Sequence, residues 1–256
     1  MLTIEFLGTG TSQGIPVIGS KHPVCMSQDS KDQRLRVSIS IKWDNSHIVI
    51  DCGPDFRQQM LRSNAEKVDA IFITHEHADH TAGIDDIRPF VFKQGPMPIY
   101  ASENVLNILS KRFEYIFNDE NKYPGAPSVK GHSVVPSNAF TFHDKRIIPV
   151  EVMHNFVPVL GYRIDRFCYL TDVKTVSDKE KEKLQNLDVL VLSALQIEPH
   201  TNHLNLEEAL ALFDELKPNR CYLTHISHLM GFHETVSEIL PENVFLAYDS
   251  LKITSS

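Results

Sequence analysis

The 256-residue chain has four cysteines, Cys25, Cys52, Cys168 and Cys221, widely scattered and without a Cys-x-x-Cys pair. That pattern argues against a disulfide framework and fits reduced thiols in a cytoplasmic protein. Long apolar runs are also missing. The longest, around Leu187 to Leu195, is interrupted by Asp188 and Ser193 and is too short to span a bilayer. Met1-Leu2-Thr3-Ile4-Glu5-Phe6 shows no basic region and no cleavage-site pattern, so no signal peptide is expected. Positive charge is in deficit: the formal net charge is -8, which argues against general nucleic-acid binding. A bound cation cluster would still attract an anionic substrate locally. Gly8-Thr9-Gly10-Thr11-Ser12-Gln13-Gly14 lacks the lysine of a phosphate-binding loop and opens no helix, so it reads as a glycine- and hydroxyl-rich turn. No linker composition or internal repeat divides residues 1–256, which are expected to form one domain.

What the chain does have is Ile71-Phe72-Ile73-Thr74-His75-Glu76-His77-Ala78-Asp79-His80. The β-branched and aromatic start predicts a buried strand. Four metal-ligating side chains, His75, His77, Asp79 and His80, follow within six residues. Imidazole and carboxylate suit zinc, and carboxylate also suits manganese. In extended backbone His75 and His77 point the same way. Asp79 and His80 fall at the turn into a helix, where they can serve a second ion.

Other expectations follow from pattern. Leu2, Ile4 and Phe6, then Val37, Ile39 and Ile41, alternate as strands, and His47 to Ile50 forms a third. That strand ends at Asp51, either a helix-capping group or a partner that orients the metal-binding turn. Ser102 caps a helix predicted to run through Phe117, and Asn118 to Pro136 reads as a lid or rim loop. His132 and His143 read as surface residues, and Arg88 as an ion-paired one. His154 and Asp172 each end a predicted strand, and His225 follows another over Arg220 to Leu223. Asn205 and Glu208 are spaced as a cap for a helix with Leu206, Leu210 and Phe213 on one face. Val244 to Leu246 and Leu251 to Ile253 are expected to close the sheet.

The run His75-x-His77-x-Asp79-His80 resembles the signature of the metallo-β-lactamase superfamily, with histidine at position 77 as in its hydrolases. The resemblance implies a four-layer αβ/βα sandwich. It also implies two divalent ions, zinc or manganese foremost. One would be held by His75, His77, His154 and Asp172, the other by Asp79, His80, Asp172 and His225. A hydroxide between the ions would be the nucleophile. Within the superfamily the chain is most similar to the phosphoribosyl cyclic phosphodiesterases of phosphonate degradation. The similarity rests on Gly8-Thr9-Gly10-Thr11-Ser12, the metal motifs, His203 with its following helix, and Leu223-Thr224-His225-Ile226-Ser227-His228. It implies that His203 is a general acid, so that Asp79 and His203 carry the catalytic assignment. That family also holds a structural zinc on three cysteines and a histidine. Here Ser20 and His22 stand for the first two cysteines, leaving His22, Cys25 and His228 as ligands of a third site.

A small phosphate diester, a cyclic one included, is therefore the expected substrate. No membrane partner is expected. A thioester, lactone or RNA phosphodiester is the alternative, and a non-catalytic metal scaffold a more distant one. Assembly, a homodimer for instance, is left open.

Overall fold

The structure is a computed structural model describing residues 1–118, 120 and 122–256. Fourteen strands are found among the described residues: β1 (Leu2–Gly8), β2 (Ser38–Trp43), β3 (Ser46–Ile50), β4 (Ala70–Phe72), β5 (Met97–Ala101), β6 (Val129–Ser133), β7 (Phe140–Phe142), β8 (Lys145–His154), β9 (Val157–Ile164), β10 (Phe167–Leu170), β11 (Val189–Ser193), β12 (Arg220–Thr224), β13 (Val244–Leu246) and β14 (Lys252–Ser255). They form two seven-stranded sheets, ordered β14-β1-β2-β3-β4-β5-β6 and β13-β12-β11-β10-β9-β8-β7. Each sheet is antiparallel on one side and parallel on the other. In the first the parallel run is β3 to β6, and in the second β10 to β13. Parallel strands share a carboxyl-terminal edge, and open sheets bind ligands at that edge.

Period-two patterning explains the inner core. Leu2, Ile4 and Phe6 of β1 and Ile39 and Ile41 of β2 are fully buried against Tyr162, Tyr169 and Val191 of the other sheet. Phe72 sits among Tyr100, Phe140, Phe142 and Tyr162 with ring centroids 5.0–5.9 Å apart. Each such side chain contributes on the order of 1.5–3 kcal/mol by leaving water. The opposite strand faces pack under helices. On the first sheet these are α1 (Phe56–Arg62), α3 (Arg88–Gln94), α4 (Glu103–Arg112) and α5 (Glu114–Phe117), while the one-turn α2 (Ala78–Thr81) carries part of the histidine run. On the second they are α6 (Asp178–Glu182), α7 (Leu206–Leu216) and α8 (His233–Ile239). The expected four-layer sandwich is what the chain forms.

Four local expectations need correction. The helix after Ser102 is capped as expected, by Val105 N–H donating to its Oγ, but it breaks at Phe113 (φ -122°, ψ 48°) into α4 and α5. The segment Asn118 to Pro136 is not all loop: it contains β6, paired in parallel with β5, and positions 119 and 121 lie outside the described residues. The buried face of α7 is Leu206, Ala209, Leu212 and Leu216, with Leu210 and Phe213 only partly covered. Its cap is a full capping box between Asn205 and Glu208. The last two strands close different sheets, β13 beside β12 and β14 beside β1. No helix among the described residues is long and apolar enough to cross a membrane.

Candidate metal centre

Strand ends deliver the candidate residues to one edge of the sandwich. β3 leads into Asp51, β4 into Thr74 and the His75–His80 run, β8 ends on His154, β10 leads to Asp172, and β12 to His225. The loop after β11 carries His203. Three of these residues hold left-handed backbone conformations, Asp51 at φ 66°, Asp172 at φ 53° and His225 at φ 56°. Such conformations cost of order 1–3 kcal/mol and persist where the surroundings dictate them. Gly53 shows why close approach is needed here. A Cβ on it would lie 2.0 Å from the Asp79 carbonyl oxygen, so the turn after β3 packs directly on the segment bearing Asp79.

Asp51 is buried and acts behind the site. Its Oδ1 accepts from Thr74 N–H at 2.9 Å, and its Oδ2 from the Thr74 hydroxyl at 2.9 Å and from His80 Nδ1–H at 2.6 Å. It is therefore the orienting partner of the metal-binding turn and not a helix cap. His80 Nε2 is left facing Asp79 Oδ2 at 3.3 Å and Asp172 Oδ2 at 3.2 Å. The other Asp172 oxygen lies 3.4 Å from His225 Nε2 and 3.7 Å from His203 Nδ1. The His75 ring is 4.2 Å from that of His80 and 4.5 Å from that of His77, and His77 is 5.5 Å from His154. His154 donates Nδ1–H to the Asn202 carbonyl at 2.8 Å and packs on His203 at 4.3 Å.

Among the described residues, ligand atoms converge to within 4.8 Å in three groups: His75, His80 and Asp172; Asp79, His80 and His225; and His154, Asp172 and His203. Six of the seven residues expected as ligands, His75, Asp79, His80, His154, Asp172 and His225, are in these groups. The grouping differs in detail from the expected partition, since His203 joins a group and His77 stands just outside. Buried imidazole nitrogens with no hydrogen-bond partner occur at His75 Nε2, His80 Nε2, His203 Nδ1, and both nitrogens of His225. Burying polar atoms unpaired is costly, and a cation would satisfy these lone pairs. The donor set therefore fits divalent ions.

The electrostatics agree. Burial alone would raise Asp79 and Asp172, yet His80 and His225 outweigh it and hold both carboxyls below their ordinary range. Burial lowers His75 and His154, favouring neutral imidazole. His203 is pushed down to about 3 by burial and then by His225. His80 moves the other way: burial opposes its charge, but Asp51, Asp172 and Asp79 together raise it. Burial raises Asp51 against the pull of His80.

The third expected site is drawn together only in part, and His228 Nδ1 is buried without a hydrogen-bond partner. His22 and His228 meet edge to face at 4.9 Å, but His22, Cys25 and His228 are not among the converging groups. Cys25 Sγ instead accepts from Val17 N–H at 3.5 Å, and His22 Nδ1 from Val24 N–H at 3.3 Å. Loss of two cysteines at Ser20 and His22 gives the physical reason. Arg88 is ion-paired with Asp85 at 2.6 Å, as expected. His143 is exposed, whereas His132 is half-buried and stacks on Tyr100 at 4.5 Å. All four cysteines are buried and free. Pattern alone passed over Thr74 and the Asn202 carbonyl, whose only signal was adjacency to the ligand runs.

The model of the beta-lactamase superfamily domain matches residues 46–226. The chain belongs to the metallo-β-lactamase superfamily. It is similar to a crystal structure described as a new diphosphatase from the PhnP family, with 38% identity and a TM-score of 0.93, covering 100% of this chain and 98% of that one. Against an octanoyltransferase of Porphyromonas gingivalis it is 37% identical, over 96% of this chain and 50% of that protein. Against a ribonuclease Z of Methanococcus maripaludis it is 28% identical, over 63% of this chain and 48% of that protein. The chain thus spans about half the length of these curated relatives.

Proposed function

We propose that the chain is a metal-dependent hydrolase of small phosphate diesters. The observation that carries this is the Asp172 carboxylate, one oxygen toward His80 and the other toward His225 and His203, amid imidazoles without partners. His75, His77, His154 and Asp172 would hold one divalent ion, and Asp79, His80, Asp172 and His225 the other. Bound there, two such ions supply Lewis acidity toward phosphoryl oxygens and acidify water. The chain's own contribution is orientation. Asp51 fixes the His80 tautomer, and the Asn202 carbonyl fixes that of His154. To His203, beside Asp172 on the rim of the donor set, we assign the passing of a proton to a leaving oxygen, a role that needs an anionic substrate to offset the burial and the His225 charge that lower its proton affinity. Support for a phosphoryl substrate comes from the similarity to a diphosphatase, and for a diester from the similarity to a ribonuclease Z. The net charge of -8 favours a small substrate over RNA.

An acyl substrate such as a thioester is the second reading, resting on the similarity to an octanoyltransferase of which this chain spans half. A side-by-side screen decides. Protein purified without chelator should hold about two ions per chain by the two-metal template. It should cleave cyclic or linear diesters far faster than phosphomonoesters or acyl thioesters. A diester places one fewer negative charge beside the carboxylate ligands than a monoester does. Equal or greater monoesterase activity, or a preference for the thioester, would overturn the diester reading.

A further inference from the structure

The His75–His80 run is gripped from two sides. On the inner side Asp51 holds Thr74 and His80. On the outer side stands a residue far along the chain, Arg112, the last of α4. Its NH1 group donates to the Glu76 carbonyl at 2.7 Å and to the Thr81 hydroxyl at 3.0 Å. The Thr81 hydroxyl in turn lies 2.8 Å from the His77 carbonyl and 3.3 Å from that of Glu76. A hydroxyl has one hydrogen to give. The shorter contact assigns it to His77, which leaves Glu76 to Arg112. NH1 carries two hydrogens, enough for both of its acceptors. The Glu76 carbonyl is thereby held by Arg112, and the His77 carbonyl by the Thr81 hydroxyl together with the His80 N–H at 3.1 Å.

We infer that Arg112, acting through Thr81, is a positioning residue for His77 and so for one ion of the pair. His77 needs such help. Its ring lies 4.5 Å from His75 and 5.5 Å from His154, yet it is outside the converging groups, and Asp51 does not reach it. The peptide on either side of His77 is what sets the direction of its imidazole. The inference rests on the two-ion reading above.

The test is metal retention, measured by mass spectrometry against rising chelator, on the wild-type chain and on Arg112→Ala, Arg112→Lys and Thr81→Val. Wild type should release its two ions in two steps. Arg112→Ala and Thr81→Val should release one ion at chelator activity ~10–100-fold lower, the usual effect of losing a partner behind a ligand, and keep the other as wild type does. Arg112→Lys, whose ammonium has hydrogens for both acceptors but sits on a shorter stem, should fall between. Should Arg112→Ala fail to fold, Thr81→Val, close to it in shape, decides alone. Variants that melt earlier when ion-free but release both ions at wild-type chelator levels would overturn the inference, leaving Arg112 a purely structural role. A wild-type chain that never holds two ions would overturn the two-ion reading itself, and this inference with it.

Discussion

Replacing Asp51 by asparagine is a one-atom change with a chemical consequence at a distance. Oδ2 accepts the His80 Nδ1 hydrogen at 2.6 Å, so His80 Nε2 is the nitrogen left to offer a lone pair to an ion held beside Asp79 and Asp172. The left-handed backbone at φ 66° is one asparagine adopts readily, so the fold should tolerate the exchange. The side chain then has two orientations. With its amide NH2 toward His80, Nδ1 must become the acceptor, and the imidazole hydrogen moves to Nε2, facing where an ion would sit. With its oxygen toward His80, the NH2 instead confronts Thr74 N–H, donor against donor, at a cost of about 1–3 kcal/mol. Either orientation weakens the same ion. Loss of an orienting partner costs ~10–100-fold in metal affinity, or ~1.4–2.7 kcal/mol. Isothermal titration of zinc or manganese into ion-free protein reads this directly: Asp51→Asn should show one site near wild-type affinity and one weakened by that factor. Two sites of unchanged affinity would refute the tautomer reasoning, because no neutral amide can hold His80 as the carboxylate does.

His203→Ala should keep both ions, lose ~10²–10⁴-fold on a diester with an alkoxide leaving group, and lose much less on a p-nitrophenyl diester, whose leaving group needs little protonation. Loss of an ion would instead assign His203 to the donor set alongside His154 and Asp172. Away from the site, burial and then Lys42 push His47 down to about 4 from its ordinary 6.5, with its ring bonded to Ser40 and the Lys67 carbonyl. Between those values the unfolded chain takes up a proton that the folded chain refuses. Its contribution is therefore complete above pH 6.5 and falls away toward pH 4, by about 3 kcal/mol. Urea unfolding of His47→Gln across that window should show a shallower acid limb, and an unchanged slope would remove His47 from the account.

The site was legible because its richest part is contiguous: His75, His77, Asp79 and His80 declare themselves within six residues. His154, Asp172 and His225 are each a lone residue after a strand and became candidates only through the family resemblance. Arg112 carried no signal, since nothing in a helix end announces which distant carbonyl it will meet. The same distinction holds for the fold. Strands with strict alternation, such as Leu2-Ile4-Phe6, were readable. β6 was not, because Val129-Lys130-Gly131-His132-Ser133 offers one apolar side chain and no periodicity. Nor does any proline or glycine mark the break at Phe113. That β13 and β14 close different sheets is a matter of pairing partners, which strand patterns do not encode. The third metal site carried the weakest signal, because a resemblance carries over only as many ligands as the chain keeps.

The division of donors between the sheets has a thermodynamic corollary. The first sheet supplies His75, His77, Asp79 and His80, and the second His154, Asp172 and His225. Neither half holds a complete set for even one ion of the assigned pair, because Asp172 belongs to both sets. Ions held as proposed would therefore be taken up by chains whose halves are already docked, and mass action would then favour docking in proportion to the logarithm of free ion over its dissociation constant. The candidate metal centre would then double as a clasp on the seam of the sandwich. Metal supply during folding would set how much of the population stays closed, before any substrate arrives.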